Sequence, residues 1–265
     1  MTKRLTPEEI RDYWTRQARE HGTSHAASWT DFPVMQMEVR ELIARLADGD
    51  RVLDVGCANG SSTVQFASQR RVRVRGLDYI PAMIDAARAH LAGVREHMVG
   101  DVEFDVGDIT ALREPDGAYD KVVVVRVVIN LADWSRQVTA LRECARVLRP
   151  GGLLLLSEAT VQGWRSMNGF RAEWGLPEIA MPAFNTYLDE AMVVEAVAAE
   201  LELVEIVNFA STYFVLTRVF KPLLAAATGA PVNVADPASA FNRWAASLPA
   251  SGDFGTQKLF VFRRR

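Results

Sequence analysis

The stretch VLDVGCANGSST, Val52 to Thr63, passes from an apolar strand through a glycine turn into the start of a helix. At such a turn the backbone has to approach a ligand closely, and Gly56 and Gly60 remove the side chains that would stand in the way. Asp54 closes the strand. A carboxylate there suits a cationic ligand and repels a pyrophosphate, so the turn favours a nucleoside carrying an amino acid over a dinucleotide.

Around this turn the chain alternates short apolar runs with helical segments. The runs are Arg51 to Val55, Val72 to Leu77, Val102 to Val106, Lys121 to Val125 and Gly152 to Ser157. Strands that are apolar along their whole length are buried on both faces, which means a parallel sheet covered by helices. The intervening helices are Ser61 to Gln69, Pro81 to His90 and Asp133 to Val147. In the last, Trp134, Val138, Leu141, Ala145 and Leu148 keep helical spacing until Arg149-Pro150-Gly151-Gly152 stops it. This is a doubly wound α/β unit.

Ahead of it, Thr6-Pro7-Glu8-Glu9 offers a capping hydroxyl, a proline at the first helical position and acids at the positive end of the dipole. A helix to about Glu20 is predicted, then a second from Pro33 to about Ala47 with Val39, Leu42, Ile43 and Leu46 on one face. After the fifth strand come an irregular stretch from Ala159 to Asn185, a helix from Leu188 to about Glu200, a strand from Leu203 to Phe209 and a final strand from Gln257 to Phe262. The roughly 45 residues between the last two strands far exceed a hairpin connection and point to function or assembly.

Two further acids fall at strand ends. Asp78 ends the second strand, 24 residues after Asp54, where an acid accepts hydrogen bonds from both ribose hydroxyls. Asp108 follows the third strand in DVGDIT, placed to accept from an adenine amino group, with Ile109 beside it to cover the ring. Acids at the carboxyl ends of three successive parallel strands converge on the crevice where open α/β sheets bind ligands.

The segment from Val52 to Glu158 therefore resembles the cofactor half of class I S-adenosylmethionine-dependent methyltransferases. The family's fourth-strand motif is similar to YDKVVVVRVVINL, and its post-helix motif to LRECARVLRPGGLLLLSE. By this resemblance Asp54, Gly56 and Gly60 contact the methionine moiety, Asp78 the ribose and Asp108 the adenine; Cys57, Ala58, Tyr79 and Ile109 complete the cofactor contacts. The family often has a third glycine where this chain has Ala58; alanine fits a negative φ, in a slightly tighter loop. The resemblance implies a doubly wound, mostly parallel seven-stranded α/β sheet with helices on both faces, forming one structural domain. Residues 1–50 would be an N-terminal helical lid, 51–158 the S-adenosylmethionine-binding core, and 159–265 the rest of the sheet with substrate-side insertions.

The implied reaction is methyl transfer to an oxygen or nitrogen of a small polar metabolite, releasing S-adenosylhomocysteine. The fourth strand ends in Val-Ile-Asn, without the Asn-Pro-Pro-Tyr type motif of adenine or glutamine amino-group methylation; no acid cluster suggests a metal. Arg126 interrupts the apolar fourth strand at the mouth of the site, where it binds an anionic substrate group, orients an acid, or forms a structural ion pair. Asn130 stands near the methyl group or caps a helix. Glu158 pairs with Arg126 or touches substrate. Asn168, Arg171, Asn185 and Tyr187 lie in the insertion that in relatives roofs the acceptor pocket, against a loop-stabilising role for each. Tyr13 and Trp14, on the first helix, close over the cofactor, where aromatic faces stabilise a sulfonium by about 0.5 to 2 kcal/mol, or pack the helix. His25, with His21 and Trp29 nearby, is the candidate general base; His90 and His97 fall on a helix end and a loop. Thr212, Tyr213 and Arg218, with Pro222, Asn242 and Trp244, form either a second pocket wall, with Tyr213 a substrate contact, or a homodimer contact.

Net charge is −3, which gives no broad basic field, so a small molecule rather than nucleic acid is the expected partner. Two cysteines, Cys57 and Cys144, make neither a disulfide framework nor a zinc site and suit a reducing compartment. MTKRLTPEEIRDYW lacks the apolar run of a secretory signal, and Arg126 breaks the Val122 to Ile129 run, far short of the roughly 20 apolar residues a membrane span needs. A cytoplasmic enzyme is expected. Two other readings stay open. A nicotinamide oxidoreductase would carry G-x-G-x-x-G, which this turn lacks, and an S-adenosylmethionine-binding protein without methyl transfer would show the same cofactor contacts.

Overall fold

A computed structural model of the chain describes residues 4–229 and 236–265. The first three residues of the stretch read for a secretory signal, and 230–235 of the long insertion, lie outside the described residues. The strands are β1 (Arg51–Val55), β2 (Arg73–Asp78), β3 (Asp101–Val106), β4 (Tyr119–Val125), β5 (Leu148–Ala159), β6 (Leu201–Val207) and β7 (Gln257–Arg264). They form one seven-stranded sheet in the order β3-β2-β1-β4-β5-β7-β6. β1 to β5 pair in parallel, and β7 runs antiparallel to both β5 and β6.

Successive side chains of a strand point to opposite faces, and here both faces are buried. Leu53, Val55, Val122, Val124, Leu154, Leu156, Phe260 and Phe262 pack on one side with α5 (Trp134–Val147) and α7 (Glu190–Val197). Val52, Val74, Val123, Leu155, Leu259 and Val261 pack on the other with α2 (Phe32–Ile43) and α3 (Ser61–Gln69). α4 (Pro81–Val94) buries Ile84, Ala87 and Leu91 against Phe104 of β3. The doubly wound, mostly parallel α/β sheet read from the sequence is the architecture of the chain.

Helix starts follow local chemistry. In α1 (Pro7–His21), the Thr6 hydroxyl accepts from the Glu9 amide at 3.2 Å, and the Glu9 carboxylate accepts from the Thr6 amide at 2.7 Å. Asp133 caps α5 by accepting from the Arg136 amide at 2.9 Å. α2 ends at Ile43 rather than near Ala47, because Asp50 accepts from the Ala47 amide at 2.8 Å and folds the following residues into a turn. α7 is correspondingly shorter than the helix read from Leu188 to Glu200, and β6 starts two residues before Leu203.

Two stretches read as irregular are helical. Residues 159–185 contain α6 (Val161–Glu173), capped by the Thr160 hydroxyl, which accepts from Gly163 at 3.0 Å. Gly163 and Gly169 dilute its apolar pattern. Gly163 is needed there, since a Cβ would overlap the carbonyl oxygen of Gly255. The insertion between β6 and β7 holds α8 (Ser211–Val215), a π-helical turn (Leu216–Phe220), α9 (Lys221–Thr228) and α10 (Ala240–Ala245). We expect Gly163→Ala to lower stability by about 1–3 kcal/mol in denaturant unfolding, because backbone has to move to admit the methyl; unchanged stability would show that α6 does not pack so closely.

Candidate active site

The carboxyl ends of β1, β2 and β4 open onto a cleft of about 430 Å³. β1 brings Asp54, β2 brings Asp78, and the turn after β3 brings Asp108; all three line it, with Gly56, Cys57, Ala58, Tyr79 and Ile109. The glycine turn is built from alternating left-handed residues, Gly56 at φ 76°, Ala58 at φ 48° and Gly60 at φ 73°. The amides of Gly56 and Cys57 both donate to the Leu77 carbonyl, at 2.6 and 2.9 Å, which docks the turn on β2.

Two sequence expectations are corrected here. Ala58 takes a positive φ, not a negative one, because only then does its amide reach the Asp78 carboxylate, at 3.0 Å; alanine has the smallest side chain that suffers from this conformation, and the hydrogen bond offsets the strain. Packing within the protein also constrains both glycines. A Cβ on Gly56 would overlap the side chain of Val127, and one on Gly60 would stand 2.5 Å from the Phe104 ring. Gly60 lies behind the cleft wall as the N-cap of α3 and does not line it.

The acids differ in environment. Asp54 is buried, and its Oδ2 accepts from the Thr63 hydroxyl at 2.6 Å. Burial raises its carboxyl from 3.8 to about 7, against the lowering effect of Thr63. Asp78 accepts from the amides of Ile80 at 2.9 Å and Ala58 at 3.0 Å; burial raises it to about 6 although these amides favour the ionised form. Asp108 is exposed and uses one oxygen for the amide and hydroxyl of Thr110, at 2.8 and 2.7 Å. When ionised, all three accept hydrogen bonds only, which suits ligand hydroxyls, amino groups and a cation.

Beside the glycine turn, just past the end of β4, Arg126 lines the cleft and adopts φ 55°. Its guanidinium pairs with Glu38 of α2 and lies 4.6 Å from the Trp29 ring centroid. Glu38 also accepts from the Ser157 hydroxyl at 2.5 Å and the Gln257 amide at 3.1 Å. The structural pairing foreseen for Arg126 thus forms with Glu38, not with Glu158. Glu158 is fully buried behind the cleft, where one oxygen accepts from the amides of Val127 and Val128 at 2.8 and 2.7 Å; burial raises its carboxyl to about 8. Asn130 lines the cleft, donates to the Arg126 carbonyl at 2.7 Å and accepts from Asn185 at 3.0 Å. Tyr187 lines it too, its hydroxyl raised by burial to about 12.

Tyr13 and Trp14 line the cleft and meet Phe184, with ring centroids 4.7 and 5.7 Å away. His25 does not line it; its ring packs on Phe32 at 4.7 Å. Asn168, Arg171 and Tyr213 also lie outside, because each satisfies groups of the insertions that would otherwise be buried unpaired. Asn168 bonds both the amide and the carbonyl of Ile179, at 2.9 and 3.1 Å. Arg171 donates to the carbonyls of Pro177 and Arg218. The fully buried Tyr213 donates to Asp31 at 2.6 Å and accepts from Asn242 at 2.8 Å, tying the last insertion to the start of α2. Sequence reasoning missed Glu38, Asn59, Phe184 and Gln257. For Glu38 a signal existed: with Val34 and Leu42 it keeps the four-residue spacing of the buried stripe of α2.

Residues 52–152 match the family model described as "Methyltransferase domain". That segment is a methyltransferase domain. It is similar to the 27-O-demethylrifamycin SV methyltransferase of Amycolatopsis mediterranei (strain S699), at 32% identity over 144 residues, 51% of this chain and 50% of that one. The chain spans about half the length of the curated relatives it matches. Its fold is shared with the methyltransferase in the complex with the Haloferax volcanii Trm112 methyltransferase activator, at a TM-score of 0.61 and 21% identity, covering 96% of both chains. It is shared also with the N-methyltransferase NodS from Bradyrhizobium japonicum WM9 in complex with S-adenosyl-L-homocysteine, at a TM-score of 0.54 and 17% identity, covering 96% of this chain and 99% of that one. S-adenosylmethionine is the cofactor of such a methyltransferase domain.

Replacing Arg126 with alanine is expected to cost about 3–5 kcal/mol of unfolding free energy, because it strands the buried Glu38 carboxylate; a cost under about 1 kcal/mol would mean the pair is not held. The acids give a pH dependence. Their folded values lie above the ordinary 3.8, so their contribution to the stability of the free methyltransferase domain is fully present below 3.8 and is lost as pH rises through about 6 and about 7. A sulfonium ligand prefers the ionised acids, so calorimetry should find S-adenosylmethionine binding about tenfold tighter near pH 8 than near pH 5.5; the reverse order would contradict these assignments.

Proposed function

We propose that the chain transfers the methyl group of S-adenosylmethionine to an oxygen or nitrogen of a small molecule. The observation that carries this reading is the gathering of Asp54, Asp78 and Asp108 with the glycine turn in one cleft that Trp29, Phe184, Asn130 and Tyr187 also wall. The acids and the turn suit the cofactor: the carboxylates take the ribose hydroxyls, the adenine amino group and the positive charge. In this reading residues 1–50 are the lid, 51–158 hold the cofactor and 159–265 furnish the acceptor wall.

When bound, S-adenosylmethionine supplies a methyl group already activated on a sulfonium. The chain therefore has to position, not to activate. Holding an acceptor in line is worth about 7 to 11 kcal/mol in favourable cases. Tyr13, Trp14 and Phe184 close the mouth against water, and Asn130 is fixed by Arg126 and Asn185 so that its position does not wander. No histidine lines the cleft among the described residues, so His25 is not placed to take the acceptor proton.

An anionic acceptor had rested on Arg126. With Glu38 matching its charge, Arg126 offers hydrogen bonds from its remaining N–H groups more readily than a site for a carboxylate or phosphate, which favours an uncharged acceptor. Among the described residues no helix is long and apolar enough to cross a membrane. Cys57 and Cys144 are both buried and free, which supports placing the chain in the reducing cytoplasm.

Incubation with methyl-labelled S-adenosylmethionine and the small-molecule fraction of a cell extract tests the proposal. Label should move onto a small acceptor. Cofactor binding with no transfer of label to any acceptor would instead support a cofactor-binding protein without methyl transfer.

A further inference from the structure

Asn59, between Ala58 and Gly60 in the glycine turn, is fully buried and lines the cleft, yet its side chain faces the N-terminal helix region. Its Nδ2 donates to the carbonyl of Gly22 at 2.9 Å and to that of Ser24 at 2.7 Å. Gly22 caps α1, and Ser24 starts the short 3-10 turn His25–Ala27. Two carbonyl oxygens can be met only by a donor, so they fix which way the amide points and leave Oδ1 buried with no partner among the described residues. A buried amide accepts such a loss where its other half does a specific job.

We propose that Asn59 is a positioning residue that latches the N-terminal lid to the cofactor turn. Three further contacts give the latch its reach. Ala18 and Ala27 of the lid pack on Ile80 and Met83, just past Asp78, with Ala58 and Trp14 at the edge of the same cluster. The amide of Leu5 donates to the Ala183 carbonyl at 3.1 Å, and Tyr13 stacks on Phe184. The lid is therefore tied at one end to the turn through Asn59 and at the other to the acceptor wall. A ligand that settles on the turn stiffens the seat of the latch, and through it the wall that an acceptor meets. The latch stands on the geometry alone; its link to ligand binding rests on the cofactor reading above.

Hydrogen exchange on the full chain, with and without S-adenosylhomocysteine, separates the two parts. In the free protein, Asn59→Ala and Asn59→Asp should each speed exchange of the amides of residues 7–21 by about tenfold, the effect of losing two buried hydrogen bonds, while the amides of β1, β2 and β4 stay as protected as before. The aspartate, isosteric but unable to donate, should be at least as severe as the alanine. Exchange of 7–21 within about twofold of the native chain in both variants would overturn the latch. With S-adenosylhomocysteine the native chain should gain protection over 7–21, and the variants should lose that gain and bind about tenfold more weakly. Equal gain in native chain and variants would overturn the link to ligand binding. If the native chain binds none, the cofactor reading fails, and the exchange of the free proteins still decides the latch. Should one variant fail to fold, with protection lost in β1, β2 and β4, the other carries the comparison.

Discussion

One hydrogen bond organises the site: the Ala58 amide donates to the Asp78 carboxylate at 3.0 Å. To make it, the turn after β1 adopts left-handed backbone at Gly56, Ala58 and Gly60, which brings it over the end of β2. The same carboxylate accepts from Ile80 and so sets the start of α4. Since Asp78 is buried, its ionised form depends on these two amides and on whatever ligand adds to them. The turn and β2 are therefore not independently adjustable, and the cleft inherits the geometry of both.

The network around Arg126 follows a different rule. Arg126, just past β4, and Glu38, Ser157 and Gln257 of α2, β5 and β7 are linked by hydrogen bonds that leave the buried acid matched on both oxygens. Such a network fixes where the strands meet α2, and it sets a neutral floor beneath Trp29. The cleft thus gathers buried acids suited to a cation and, beside them, a matched ion pair and aromatic rings.

The order of strands, the two-faced burial and the three acids were legible in the sequence because each leaves a local mark: a continuous apolar run, a glycine turn, an acid closing a strand. The surroundings of Arg126 left fewer marks. Arg126 announced itself by breaking an apolar strand, but its partner Glu38 lies 88 positions away on another element, and no local pattern links the two. Asn168, Arg171 and Tyr213 looked like site residues because polar and aromatic side chains in insertions often are; here Asn168 and Arg171 satisfy backbone groups within those insertions, and Tyr213 ties the last of them to Asp31. α6 was hidden by Gly163 and Gly169, and the reason for Gly163, contact with Gly255, is tertiary. The sign of φ at Ala58 depended on where Asp78 stood, which only the folded sheet fixes.

The most direct test is a calorimetric titration of S-adenosylhomocysteine into the native chain and into Asp78→Ala. Removing the carboxylate takes away both the anchor of the turn and an acceptor for the ligand, so binding should weaken by at least about a hundredfold, the scale of one or two charge-assisted hydrogen bonds. Affinity equal in the two proteins would mean that the ligand is held elsewhere and that the acid edge of the sheet is not its seat.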